Sequence, residues 1–198
     1  MRFYAALLLF FAGVFLKIKG AENIPKSGAY IICANHTSFL DTFCIYKIFS
    51  QYFVFTGKKE IEKWPLFHIF YTSGMNILVD RHSRTGSLKS LKRMLLEIDK
   101  GNPLMIFPEG TISKNLPKPG SYKSGAFAIA IQKQVSIIPV SFITNWKLLQ
   151  NGWKGRSGPG ISEIIIHPAI PTTGLNKDNI HLLQEQVKSI INGSLRLT

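Results

Sequence analysis

Residues 29–49 read AYIICANHTSFLDTFCIYKIF, and the way this stretch breaks decides the architecture. Residues 29–34 (AYIICA) form a short apolar run expected to be a buried strand, and residues 39–49 an apolar helix. Between them stand four polar residues, Asn35, His36, Thr37 and Ser38, at the carboxyl end of the strand. The same alternation continues outward. Strands are expected at 52–56, 75–79, 103–107, 135–142 and 161–167. Helices are expected at 64–71, entered through Pro65, and at 85–100, 125–132 and 179–195. In the helix at 85–100, Leu88, Leu91, Leu95 and Ile98 make one apolar stripe, and Gly101 with Asn102 ends it. Lys89, Lys92 and Arg93 share another face, read as a solvated face or a contact with anionic lipid. In the last helix Leu183, Val187, Ile190 and Ile191 point inward. Strands alternating with helices imply an α/β fold, a single domain with a mostly parallel central sheet flanked by helices. Ligands of such sheets gather at the carboxyl ends of strands.

Two polar segments occupy such ends. In the first, His36 and Asp41 are five residues apart, which on one straight helix is about 500° of rotation and leaves the side chains some 140° apart. They meet only if His36 lies in the turn before the helix and Asp41 in its first turn. Ser38 is a natural N-cap for that helix. A carboxylate on one ring nitrogen would leave the other as a base able to activate a hydroxyl. The competing reading is structural: Ser38 and Asp41 have the spacing of a capping box, with His36 an incidental loop residue. A Cys33 nucleophile beside His36 is disfavoured, because residues three apart on a strand face opposite ways. Cys33, His36, Asp41 and Cys44 have no standard metal-ligand spacing, and no metal is expected. The second segment, Phe107-Pro108-Glu109-Gly110-Thr111, offers a carboxylate, a glycine that permits close approach, and a hydroxyl. Taken alone it also describes an ordinary turn.

Composition narrows the partners. The chain has 198 residues, 45% hydrophobic and 12% aromatic, enough for one domain with a sizeable core. Lys and Arg number 24 against 11 Asp and Glu, a formal charge of +13. That surplus suits nucleic acid, an anionic bilayer or a phosphorylated substrate. Two cysteines in a chain of this length do not make a disulfide framework, and a reducing, cytoplasm-facing location follows as the expectation. Residues 3–16 are almost wholly apolar, broken by Gly13 and followed by Lys17 and Lys19. Fourteen residues are too few to cross a bilayer as a helix, which needs roughly 20. A secretory signal is opposed by lysines at the position of a cleavage site. The expectation is that residues 1–16 form an interfacial membrane-associating segment, or the end of a longer one, with the catalytic domain at 17–198. Packing as an ordinary apolar helix on the core is the alternative.

Taken together and in order, Asn35-His36-x4-Asp41 and Phe107-Pro-Glu-Gly-Thr111, about 70 residues apart, resemble the defining blocks of the glycerolipid acyltransferase family. Gly57-Lys58-Lys59-Glu60 with Pro65, running to Asp80-Arg81, is similar to a further block, and so is Ile137-Ile138-Pro139-Val140. The lead-in Lys19-Gly20-Ala21-Glu22-Asn23-Ile24-Pro25 also resembles the family. The resemblance covers roughly residues 17–170. It implies O-acyl transfer from acyl-CoA or acyl carrier protein to the free hydroxyl of a lysolipid such as 1-acyl-sn-glycerol 3-phosphate, with His36 as base and Asp41 orienting it. No cofactor beyond the acyl co-substrate is implied. It assigns Asn35, Glu109, Gly110 and Thr111 to the acceptor and Arg81 to its phosphate. Lys58 and Lys123 add charge by sign and position. One departure is plain: Ile112 stands where the family often has Arg, a bidentate phosphate ligand. Either Lys114, Lys118 or Lys123 compensates, or the acceptor is not the usual phosphate ester, and the lyso-form of an amino-acid lipid is then the second acceptor class.

A nucleic-acid module would use the charge but shows no recognition motif. A basic membrane-binding module would use the charge and the apolar amino terminus, but not the His36/Asp41 pair. His68, His82, His167 and His181 are read as structural or exposed. Trp64, Phe67, Phe70 and Tyr71 are read as either an acyl tunnel or core.

Overall fold

The computed structural model describes residues 1–58, 76–80, 83–150 and 155–195. Its helices are α1 (Arg2–Phe11), α2 (Leu40–Ile48), α3 (Arg84–Asp99), α4 (Gly125–Lys133), α5 (Asn145–Leu148) and α6 (Ile180–Leu195). Its strands are β1 (Val14–Lys19), β2 (Ile31–Ala34), β3 (Val54–Lys58), β4 (Asn76–Val79), β5 (Leu104–Ile106), β6 (Ile137–Phe142) and β7 (Gly160–Ile166). They form one sheet in the order β1-β7-β6-β2-β5-β3-β4. Every neighbouring pair is parallel except β6 and β7. The chain is thus a single α/β domain with a mostly parallel sheet flanked by helices.

The strand period of two sorts the core into two layers. Ile32, Ala34, Met105, Ile138 and Val140 join the layer that packs on α1 and α2. Ile31, Cys33, Leu104 and Ile137 join the layer under α3, α4 and α6. Both faces of β2 and β6 are therefore buried, which is why they read as unbroken apolar runs.

Two expectations need correction. The apolar amino terminus is not one segment. Gly13, at φ +66°, turns the chain out of α1, and a Cβ there would meet the Pro159 Cβ at 2.6 Å. The chain then enters β1, whose Val14 pairs with Gly160 of β7. A boundary after residue 16 cuts through this strand, which belongs to the sheet. Helix α1 buries Ala5 and Leu9 in the core while Phe3, Phe10 and Phe11 stand 73%, 69% and 80% exposed. No helix among the described residues is long and apolar enough to cross a membrane.

The stripe of α3 is also displaced. Leu88 is exposed, whereas Met94 and Ile98 are buried and Leu91 and Leu95 half-buried. At about 100° per residue Leu88 lies some 80° from the centre of that face, and Met94 only about 40°. The helix starts at Arg84, because the Ser83 hydroxyl accepts from the Gly86 N–H at 3.1 Å and caps it. The helix expected at 64–71, with Trp64, Phe67, Phe70 and Tyr71, lies outside the described residues, as do His68 and His82.

Candidate active site

Strands β5, β2 and β6 lie side by side, so their carboxyl ends deliver Phe107–Glu109, Asn35–His36 and the approach to Asn145 to one edge of the sheet. Asn35 is fully buried. Its Nδ2 donates to the Phe142 carbonyl at 3.0 Å, and its Oδ1 accepts from the Phe142 N–H at 2.8 Å. Both polar atoms are spent on main chain. Asn35, expected against the acceptor, thus rivets the end of β2 to the end of β6.

His36 is held on four sides. Its N–H donates to Glu109 Oε1 at 2.8 Å, and its carbonyl accepts from the Ser113 N–H at 3.2 Å. The ring stacks on Phe107 with centroids 3.9 Å apart and planes 5° from parallel. Its Nδ1 lies 3.0 Å from Asp41 Oδ2. A carboxylate only accepts, so Nδ1 carries the hydrogen and Nε2 keeps its lone pair. Among the described residues nothing bonds to Nε2, and the His36 side chain is 13% exposed while that of Asp41 is 0%.

Asp41 is the second residue of α2, as the spacing required for the two side chains to meet. Its Oδ2 also accepts from the Thr37 and Ser38 N–H groups at 2.6 and 2.9 Å. Oδ1 accepts from the Thr37 hydroxyl at 3.2 Å and from Asn145 Nδ2 at 2.8 Å. The two readings of Asp41 therefore coexist: the carboxylate that gathers the turn amides also faces the imidazole. Ser38 is not the N-cap. Phe39 occupies that place without a side-chain bond, while the Ser38 hydroxyl accepts from the Leu40 N–H at 3.2 Å and donates to the Leu149 carbonyl at 2.8 Å.

Glu109 is buried, with Oε1 on His36 and Oε2 accepting from the Gly120 N–H at 2.6 Å. Burial pushes its carboxyl above the usual range, and the two N–H groups pull it back. Its oxygens brace the loop against His36. Gly110 takes φ +71°, Thr111 and Lys123 are exposed, and Ile112 is half-buried. Lys58 is the last residue of β3, and Arg81 lies outside the described residues.

The cysteines are packed in different layers, Cys33 under α4 and α6 and Cys44 with α1 and α2. Burial pushes the Cys33 thiol up strongly and Cys44 to about 12. Among the described residues no three His, Cys, Asp or Glu side chains gather as metal ligands. His167 is half-buried and does have partners: its Nε2 lies 2.9 Å from the Ser141 hydroxyl and 3.3 Å from that of Ser194. Asn145 and Ser162, both fully buried behind Asp41, went unnoticed in the sequence. They sit far along the chain in no recognisable spacing, and only the burial of a polar residue beyond IIPVSF hinted at either.

Similarity to known proteins follows this geometry. Residues 15–143 match the family model described as Acyltransferase. A 1-acyl-sn-glycerol-3-phosphate acyltransferase of Saccharomyces cerevisiae is 32% identical over 190 residues, 93% of this chain and 61% of that protein. One of Chlamydomonas reinhardtii is 30% identical over 157 residues, 78% of this chain and 46% of that protein. The chain thus spans roughly half the length of such relatives. The crystal structure of the 1-acyl-sn-glycerophosphate (LPA) acyltransferase PlsC from Thermotoga maritima shares the fold, with a TM-score of 0.83 at 24% identity over 98% of this chain and 76% of that one. With the family match running from β1 past the end of β6, and so through both His36 and Glu109, the chain belongs to the acyltransferase family.

Proposed function

We propose that this chain transfers a fatty acyl group from an acyl thioester, acyl-CoA or acyl carrier protein, to the free hydroxyl of 1-acyl-sn-glycerol 3-phosphate, giving phosphatidic acid for phospholipid synthesis. The observation that carries the reading is the buried Asp41 carboxylate on His36 Nδ1 at 3.0 Å, which leaves Nε2 as the base. The names of the relatives support the acceptor. The acceptor hydroxyl bonds to Nε2 and passes its proton there as its oxygen attacks the thioester carbonyl carbon. The adduct collapses, the carbon–sulfur bond breaks, and the imidazolium returns the proton to the leaving thiolate. Asp41 stabilises the charged ring between these steps, and the stack on Phe107 fixes its plane. Glu109 holds the His36 N–H, and Asn35 ties the preceding position of the chain to Phe142. Gly110, Thr111, Lys58, Arg81 and Lys123 are assigned to the acceptor and its phosphate. The exposed apolar side of α1 and the charge of +13 support a peripheral or monotopic seat on an anionic membrane surface, at its cytoplasmic face.

Ile112 favours one second reading, acylation of the lyso-form of an amino-acid lipid, because no guanidinium stands there to grip phosphate. A basic membrane-binding module without activity would have no use for the dyad. An acceptor screen decides among the three. Purified chain is given acyl-CoA or acyl carrier protein thioester with lysophosphatidate or with an amino-acid lysolipid. Preferential acylation of lysophosphatidate supports the first reading and preference for the amino-acid lysolipid the second. No transfer to either overturns both.

A further inference from the structure

We infer that Asn145, fixed in turn by Ser162, is a positioning residue for the reaction, locking the Asp41 carboxylate in the orientation that carries His36. The inference rests on the reading of His36 as the base. Asn145, Ser162, Asp41 and Cys44 are all fully buried and come from three elements, α5, β7 and α2.

The direction of each hydrogen bond follows from chemistry. Asp41 Oδ1 only accepts, so the atom of Asn145 facing it at 2.8 Å is Nδ2. Asn145 Oδ1 then points the other way, and the Ser162 hydroxyl at 2.5 Å must donate to it. With that hydrogen committed, the Ser162 oxygen is left to accept from the Cys44 thiol, 3.5 Å away. Burial keeps that thiol protonated, its value raised to about 12. Cys44, Ser162 and Asn145 therefore form a closed hydrogen-bonded set, since Asn145 Nδ2 also donates to the Cys44 sulfur at 3.7 Å, and from it Nδ2 reaches Asp41 Oδ1.

The geometry explains why such a chain is needed. Among the described residues, the other groups bonded to the Asp41 carboxylate come from residues 36–38, within its own turn. Asn145 lies 104 positions away in sequence and is the bond that ties the carboxylate to the body of the sheet. Without Ser162 the Asn145 carbonyl loses its donor, and the amide keeps only its bonds through Nδ2 to Asp41 and to the Cys44 sulfur among the described residues. The Ser38 hydroxyl on the Leu149 carbonyl clamps the same short helix to the same turn from the other side. Neither Asn145 nor Ser162 lies in the sequence blocks that mark the family.

The test compares Asn145→Leu and Ser162→Ala with wild type in thioester-dependent acylation of lysophosphatidate. A misplaced base costs rate more than binding. Asn145→Leu should lower kcat by about tenfold to a hundredfold, with KM for both substrates within about twofold. Ser162→Ala should lower kcat about threefold to tenfold in the same pattern. A second readout needs no turnover: the low-field proton resonance of His36 Nδ1–H, identified by its loss in His36→Ala, should shift in both variants. If wild type transfers no acyl group, the proposed reaction fails, yet the resonance still tests the lock. If either folded variant keeps wild-type kcat and an unmoved resonance, the lock is overturned. Should Asn145→Leu not fold, Ser162→Ala, which removes a single oxygen, decides.

Discussion

Replacing Asn35 with alanine separates a residue that holds the site from one that touches substrate. Asn35→Ala removes two hydrogen bonds at 3.0 and 2.8 Å and leaves the Phe142 carbonyl and N–H without those partners in a fully buried position. Each group so stranded costs about 1–3 kcal/mol, so the loss is about 2–6 kcal/mol. For a domain of this size each kcal/mol moves the melting temperature by about 2–4 °C, which predicts a fall of about 4–24 °C. The assay is thermal unfolding followed by calorimetry, paired with acylation kinetics below the transition. Activity should fall through kcat, because the rivet sits one residue from His36, and KM for lysophosphatidate should stay within about twofold. A variant that melts within about 1 °C of wild type while KM rises tenfold would refute this reasoning and return Asn35 to the acceptor.

Three further outcomes follow from the same structure. Ile112→Arg should lower KM for lysophosphatidate about tenfold by supplying a charge-assisted phosphate contact, and no change in KM would argue against a phosphate near the loop. Phe10 and Phe11 are exposed, so Phe10→Ser with Phe11→Ser should leave melting unchanged. The same pair should weaken binding to anionic vesicles by at least about tenfold, given roughly 2 kcal/mol for each buried ring; unchanged binding would contradict the membrane seat of α1. Burial holds His167 below the ordinary imidazole range. A depressed group contributes stability above its unfolded value, about pH 6.5, and that stability is lost as pH falls through the lower folded value. Chemical unfolding of wild type between pH 7 and 5 should therefore lose stability more steeply than His167→Gln, and parallel curves would remove His167 from the account.

Much of this fold was legible because its central strands are buried on both faces. Residues 29–34, 103–107 and 135–142 read as apolar runs for that reason, and the helix boundaries at Gly101 and Gly125 carry ordinary local signals. The edges were harder. β1 is exposed along most of its length and follows α1 without a polar break, so only Gly13 marks the turn between them. The antiparallel entry of β7 depends on a connection with no periodicity. In the site, the pairing of His36 with Asp41 was legible because it is local, within five residues and one turn. Asn145, Ser162 and the bond from Glu109 to the His36 N–H were not, since they join residues brought together only by strand order. Asn35 and Glu109 were legible as polar residues of the site, but their bonds to main chain were not. A polar residue beside a base looks the same in sequence whether it binds substrate or main chain.

The central claim is that His36 is the base, and removing its ring tests it most directly. Thioester-dependent acylation of lysophosphatidate is to be measured for wild type and His36→Ala, with folding of both checked by melting. The account predicts that the variant stays folded and loses about a hundredfold to ten-thousandfold in kcat. A folded His36→Ala protein that acylates lysophosphatidate at the wild-type rate would contradict it.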